Sequence, residues 1–162
     1  MNKEQPGLQL EKLEWLWRRV QKPGRYTGGE SNQIKKDPEA VRIKVALAFP
    51  EVYELGMSYL GQKILYFLLN QSPDILAERV YAPWPDFEFE LRKNQVPLYS
   101  LENKLPLASF DIVGFSLLYE LNHTNLLNML ELSQIPRLTA ERQLLHPLVI
   151  AGGPAAFNPE PL

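Results

Sequence analysis

VRIKVALAF at 41–49 starts by alternating apolar with basic side chains and then becomes an unbroken apolar run that Pro50 stops. A strand wetted on one face keeps alternating, whereas one covered on both faces loses the alternation, so this stretch reads as a central strand of a parallel sheet. Working outward, DIVGFSLL at 111–118 and LVIA at 148–151 carry the same signature, the latter running directly into Gly152, Gly153 and Pro154. Between these runs, GMSYLGQKILYFLL at 56–69 sets Leu60, Ile64, Phe67 and Leu68 at helical intervals, and 122–132 does the same with Leu126, Met129 and Leu130. A short strand at 79–81 precedes a helix at 83–94, where Trp84, Phe87, Phe89 and Leu91 surround Asp86, Glu88 and Glu90. Strands and helices alternating at this spacing imply parallel pairing through right-handed crossovers, the α/β class.

Upstream, Leu10, Leu13, Leu16, Trp17 and Val20 recur at helical spacing, so 9–20 reads as an amphipathic helix whose apolar face Trp15 widens. KPGRYTGG at 22–29 has one proline and three glycines in eight residues and reads as a loop. The expected organisation is an N-terminal helix and Gly/Pro-containing linker over 1–40, then an α/β domain over 41–162. That domain is expected to be incomplete, because a doubly wound sheet needs a further helix, and usually a strand, beyond the fourth.

Composition narrows the function classes. Apolar residues make up 45% and charged residues 22%, an ordinary globular balance, and the net charge of −2 gives no specific evidence for nucleic acid. The first 44 residues carry ten basic and six acidic side chains, a mild excess best read as a solvated face. No secretory h-region opens the chain and no run approaches a membrane span, so the expected compartment is the cytoplasm. There is no cysteine, which removes thiolate nucleophiles and all-Cys metal or iron–sulfur sites from these residues. The glycine fingerprints GxGxxG and GxxxxGK[ST] are missing, as is GxSxG.

In an open parallel sheet a ligand sits beyond the carboxyl ends of the strands. Three loops converge there, 50–56, 116–124 and 152–158, and Gly56, Gly61, Gly152 and Gly153 admit close approach of a planar ligand or phosphate. His123 lies near the same end and is either a ligand contact or a local polar anchor; His146, before Pro147, reads as structural. Glu51, Glu54 and Glu120 line the rim as candidate neighbours, more simply read as solvated.

Several blocks in order, KPGRYTGGE at 22–30, LAFPEVYELGMSYLG at 47–61, VYAPWPDFEFELR at 80–92, IVGFSLLYELNHTNLLNML at 112–130 and VIAGGPAAFNPEP at 149–161, resemble the leading region of an uncharacterised radical SAM family. Its members resemble fusions of a cobalamin-binding-like α/β domain with a radical SAM barrel. The resemblance implies a flavodoxin-like or Rossmann-like parallel sheet of order 2-1-3-4, truncated after its fourth strand. It also implies a downstream radical SAM domain as partner, which would hold the 4Fe-4S cluster and S-adenosylmethionine on CxxxCxxC, a motif this chain lacks. Cobalamin domains of this type carry an acidic-x-His-x-x-Gly turn, a Ser-x-Leu and a Gly-Gly. Here Glu51, Tyr53 and Gly56 stand in the first, Ser116 and Leu118 in the second, and Gly152 with Gly153 in the third.

Tyr53 thus replaces the histidine that would ligate cobalt from below, and a phenol with pKa about 10 is a poor donor. Two readings stay open: an accessory module that binds cobalamin without that ligand, or a non-catalytic interaction domain that packs on the barrel. In both, catalysis belongs to the parent enzyme. An open cleft beneath Gly152 favours the first; Tyr53 and Phe157 filling it favour the second.

Overall fold

The computed structural model describes residues 8–160, so residues 1–7 of the expected N-terminal segment and 161–162 of the expected α/β domain lie outside the described residues. Four strands, β1 (Ile43–Phe49), β2 (Ile75–Tyr81), β3 (Ile112–Ser116) and β4 (Leu148–Gly152), form one all-parallel sheet in the order β2-β1-β3-β4. The fold is therefore a flavodoxin-like or Rossmann-like parallel sheet of four strands, α/β as the strand pattern predicts and in the order that the resemblance implies. The helices are α1 (Leu10–Trp17), α2 (Gly24–Thr27), α3 (Tyr53–Ser58), α4 (Leu60–Gln71), α5 (Pro85–Lys93) and α6 (Asn122–Leu132).

Alternation sorts the strand side chains onto two faces. Ala46, Ala48, Val80, Val113 and Phe115 pack with Leu13, Leu16, Trp17, Phe87, Leu91, Met129 and Leu130 in the main core. The opposite face buries Val45, Leu47 and Ala77 against Tyr66 of α4. Helix α1 is integral to the main core, since Leu13 and Leu16 are fully buried.

Three local features differ from the sequence expectation. The 22–29 stretch is not wholly irregular: α2 forms there because Tyr26 stacks on Phe87 with ring centroids 3.9 Å apart, and its hydroxyl accepts the Trp84 N–H at 3.1 Å. The single helix expected over 56–69 is two helices broken at Tyr59, whose extended backbone lets its ring stack on Phe49. Strand β2 is seven residues long rather than three, because Glu78 and Arg79 interrupt the apolar pattern yet are both buried.

Those charges belong to a seal along the outer edge of β2. Asn70 of α4 accepts the Ala77 N–H at 3.1 Å and donates to the Ala77 carbonyl at 2.9 Å. Glu102 accepts the Arg79 backbone N–H at 2.8 Å and the Arg79 Nε at 2.6 Å, while Leu101 N donates to the Arg79 carbonyl. Lys36 Nζ donates to the carbonyls of Ser72 and Ile75. Side chains and one loop thereby do for this edge what a neighbouring strand does elsewhere. At the opposite edge, among the described residues, no side chain or loop seals β4 in this way.

Helices α5 and α6 stop alike. Gln95 and Gln134 take positive φ of 53° and 58°, and Val96 N and Ile135 N reach back to the Leu91 and Leu130 carbonyls. This is a Schellman closure, with the buried Val96 and Ile135 supplying its apolar contact. Glycine tolerates that backbone without the Cβ penalty, so Gln134→Gly is expected to raise the unfolding free energy by about 0.5–1 kcal/mol in a urea titration.

The Glu102 carboxyl is pushed up to about 7, first by burial and against the opposing pull of Arg79. Because it holds its proton more tightly folded than unfolded, its contribution to stability is full below the ordinary carboxyl value and is lost as pH rises through about 7. Between those limits one proton gives a slope of at most about 1.4 kcal/mol per pH unit. Glu102→Gln should remove that slope from the pH profile of unfolding.

Candidate functional site

The loops after β1 and β3, which flank the point where strand order reverses, are laced to each other. Glu51 accepts the Tyr119 hydroxyl and, at 3.1 Å, Asn122 Nδ2, while Asn125 Nδ2 donates to the Pro50 carbonyl at 2.9 Å. Asn122 Oδ1 in turn accepts the Leu118 N–H at 2.9 Å, which fixes the turn into α6. Glu51 is therefore engaged in holding the two loops together.

Tyr53 points toward β2. Its ring meets Tyr81 edge-on at 5.7 Å and its hydroxyl donates to Glu30 at 3.1 Å; burial, with the Glu30 carboxylate beside it, raises its pKa. Gly56 backs onto the Tyr81 ring so closely that a Cβ would collide with it, and this glycine serves helix–sheet packing. Leu118 packs beside Phe49, Tyr81 and Leu101. Ser116, Gly152 and Gly153, by contrast, come together on one opening.

That opening is a groove of about 580 Å³ along the α4 side of the sheet, between α4 and β4. Val45, Leu47, Ile112 and Ile150 form its floor, Ile64, Leu65 and Leu69 its helical wall, and Ser116, Gly152 and Gly153 its end at the carboxyl edge of the strands. A second open space of about 620 Å³ adjoins it over Ala151, Gly152, Gly153, Pro154, Ala156 and Phe157. Neither Tyr53 nor Phe157 fills the groove: the first faces β2, and the second is 87% exposed and lines the neighbouring space.

Gly152 and Gly153 play different parts. Around Gly152 a Cβ meets nothing within 4 Å, so this residue leaves the end of the groove open. Gly153 has φ 107°, and a Cβ there would strike the Leu117 carbonyl; the chain passes this close because Leu117 N donates to the Gly152 carbonyl at 2.7 Å. The Leu117 carbonyl then accepts the Ala155 N–H at 3.2 Å, starting the 3₁₀ turn Pro154–Phe157.

The remaining candidates lie apart. His123 is buried in the first turn of α6, with Nε2 3.3 Å from the Ala155 carbonyl and Nδ1 without a hydrogen-bond partner. His146 Nδ1 accepts the Gln143 N–H at 2.8 Å in the turn before β4. Glu54 pairs with Arg25 at 2.8 Å and Lys22 at 3.5 Å, so Glu51 and Glu54 hold separate partners. Among the described residues no cluster of three His, Cys, Asp or Glu could hold a metal ion, and no helix is long and apolar enough to cross a membrane.

What the sequence reading missed is the wall and floor of the groove. The available signal was the run KILYFLL at 63–69, apolar on nearly every side of a helix, which one buried face does not require.

The sheet and groove define an open, parallel α/β module with its accessible face at the carboxyl ends of β3 and β4. Residues 61–162 match the family described as radical SAM proteins, N-terminal, and the chain belongs to that family. No curated protein and no solved structure matches the chain.

The two glycines separate fold from access, which a substitution series can read. Gly153→Ala is expected to destabilise by about 3 kcal/mol or more through strained backbone and collision with Leu117. Gly152→Ala should stay within about 0.5 kcal/mol of the parent in the same denaturant titration.

Proposed function

We propose that the chain is the N-terminal accessory module of a radical SAM enzyme, and that its groove accepts the tail of a cobalamin. The observation that supports this reading is the open, apolar groove of about 580 Å³ that ends on Ser116, Gly152 and Gly153. Apolar walls with few polar groups at one end suit a planar heteroaromatic tail that must leave water at one end and hydrogen-bond at the other. Ser116 would offer its hydroxyl to the polar part of that tail, Gly152 would leave room for it, and Leu47, Ile112 and Ile150 would exclude water beneath it. A corrinoid, when bound, supplies a cobalt centre able to carry an alkyl group.

No imidazole from the first loop serves that cobalt in this reading, because Tyr53 stands in the histidine's place and spends its hydroxyl on Glu30. The chain contributes binding and coverage, and with no cysteine it contributes no ligand to an iron–sulfur cluster. A second reading, a docking domain without a cofactor, is favoured by a separate observation: Leu60, Phe67 and Leu68 on the outside of α4 are each more than half exposed.

Gel filtration after incubation with hydroxocobalamin separates the two. Under the first reading the cofactor co-elutes with the protein in the base-off spectral form, Ile150→Glu abolishes retention, and Phe67→Lys leaves it intact. Absence of both retention and spectral change, in this chain and in the longer polypeptide that contains it, would leave only the docking reading.

A further inference from the structure

Helix α4 is inside out. Its buried positions, Gln62, Tyr66 and Asn70, are spaced four apart and hydrogen-bond to the Leu47 carbonyl, the Ile34 N–H and the backbone of Ala77. On the arc turned away from the sheet stand Leu60, Ile64, Phe67 and Leu68, between 49% and 65% exposed, and the exposed Gln71 ends the row. An ordinary surface helix has the reverse pattern. Steps of four, seven, eight and eleven residues from Leu60 make this row a single stripe along the helix. Leu65 and Leu69, on the arc toward β4, belong to the groove, and of the stripe only Ile64 borders it.

The stripe is complementary to itself. Two α4 helices packed antiparallel about a two-fold axis set Ile64 against Leu68 of the second copy, and Leu60 against its Gln71. Lys63 is the helix's one charge. Antiparallel packing carries it to the last turn of the second copy's α4, where the helix dipole is negative and the exposed Asp74 follows. Parallel packing would bring the two lysines side by side instead. Half-exposed side chains of this size each bring on the order of 100 Å² to a contact. The two stripes together then bury about 1,000 Å², the low end of specific interfaces. A helix that lies on an anionic bilayer carries several Lys or Arg on its polar side, which α4 lacks.

We propose that the outer face of α4 is a two-fold dimer interface, with the helices of two copies packed antiparallel along Leu60, Ile64, Phe67 and Leu68. It gives this face a second copy of the chain as its occupant in place of a catalytic barrel, and is independent of what the groove holds.

Sedimentation equilibrium on the purified protein should show reversible monomer–dimer exchange with a dissociation constant roughly in the micromolar range. Leu68→Glu should weaken it at least about ten-fold. Lys63→Glu should weaken it too, while Lys63→Arg does not, and the melting temperature should hold in all three because both side chains are exposed. Trp15→Glu, on the opposite side of the sheet, should leave the exchange unchanged. The chain has no cysteine, so introduced thiols report the packing alone. Leu60→Cys chains mixed with Gln71→Cys chains should cross-link on oxidation with copper phenanthroline. Leu60→Cys alone should not, its two copies lying roughly 16 Å apart along the helix axes. A monomer throughout, up to roughly a hundred-fold above the micromolar range, overturns the proposal. So does a dimer that Leu68→Glu leaves intact, self-cross-linking of Leu60→Cys, or a monomer that instead floats with phosphatidylglycerol vesicles. Retention of hydroxocobalamin is read separately, so the dimer and the corrinoid can each fail alone.

Discussion

The Arg79–Glu102 pair is the interaction around which one side of the molecule is organised. Both side chains are essentially removed from water, at 2.6 Å, on a strand whose outer neighbour is a loop rather than another strand. Desolvating two charges is unfavourable unless their remaining hydrogen-bonding groups are met, and most of the surroundings serve that end. The Arg79 guanidinium lies 4.4 Å over the Tyr66 ring, Nη1 reaches Asn32 and Met57, and Glu30 stands 3.7 Å from Nη2, close enough to balance its charge though both atoms stay without a hydrogen bond. The segment 30–36, helices α3 and α4 and the loop 99–105 are thereby all referred to one strand residue.

The same arrangement explains the inversion of α4. With β2 outward-facing amides needing partners, the helix nearest them presents Asn70, and the sheet-facing stripe is spent on polar groups. Its apolar residues are left for the remaining arc. Sealing one edge and baring one face are thus two results of a single choice of side chains, and the groove beneath Gly152 lies where the bared face meets the open edge.

Much of this was legible. The three apolar strands, their parallel pairing and the helix at Asn122–Leu132 follow from hydrophobic pattern and crossover handedness, because burial on both faces leaves a plain trace in VRIKVALAF and DIVGFSLL, whereas the strand order came with the family resemblance. Strand β2 was underestimated because Glu78 and Arg79 owe their burial to Glu102 and Asn103, more than twenty residues away, and no local window contains that compensation. Among the candidate residues, Ser116, Gly152 and Gly153 line one groove, as three loops converging at the carboxyl ends of the strands suggest. Glu51, Tyr53 and Gly56 also follow the carboxyl end of a strand, yet Glu51 and Tyr53 turn to Tyr119 and Glu30, and Gly56 is backed onto the Tyr81 ring, contacts that no local window of sequence contains.

The unlike edges also give the sheet a direction of growth. During synthesis the residues that close β2, up to Glu102 and Asn103, leave the ribosome before β4 does. When Leu148–Gly152 emerges, the residues that cover the older margin are already outside the ribosome, while among the described residues nothing covers the outer edge of the newest strand. The edge left able to pair with another chain is thus the last one made, and the earlier edge has its covering side chains to hand before it.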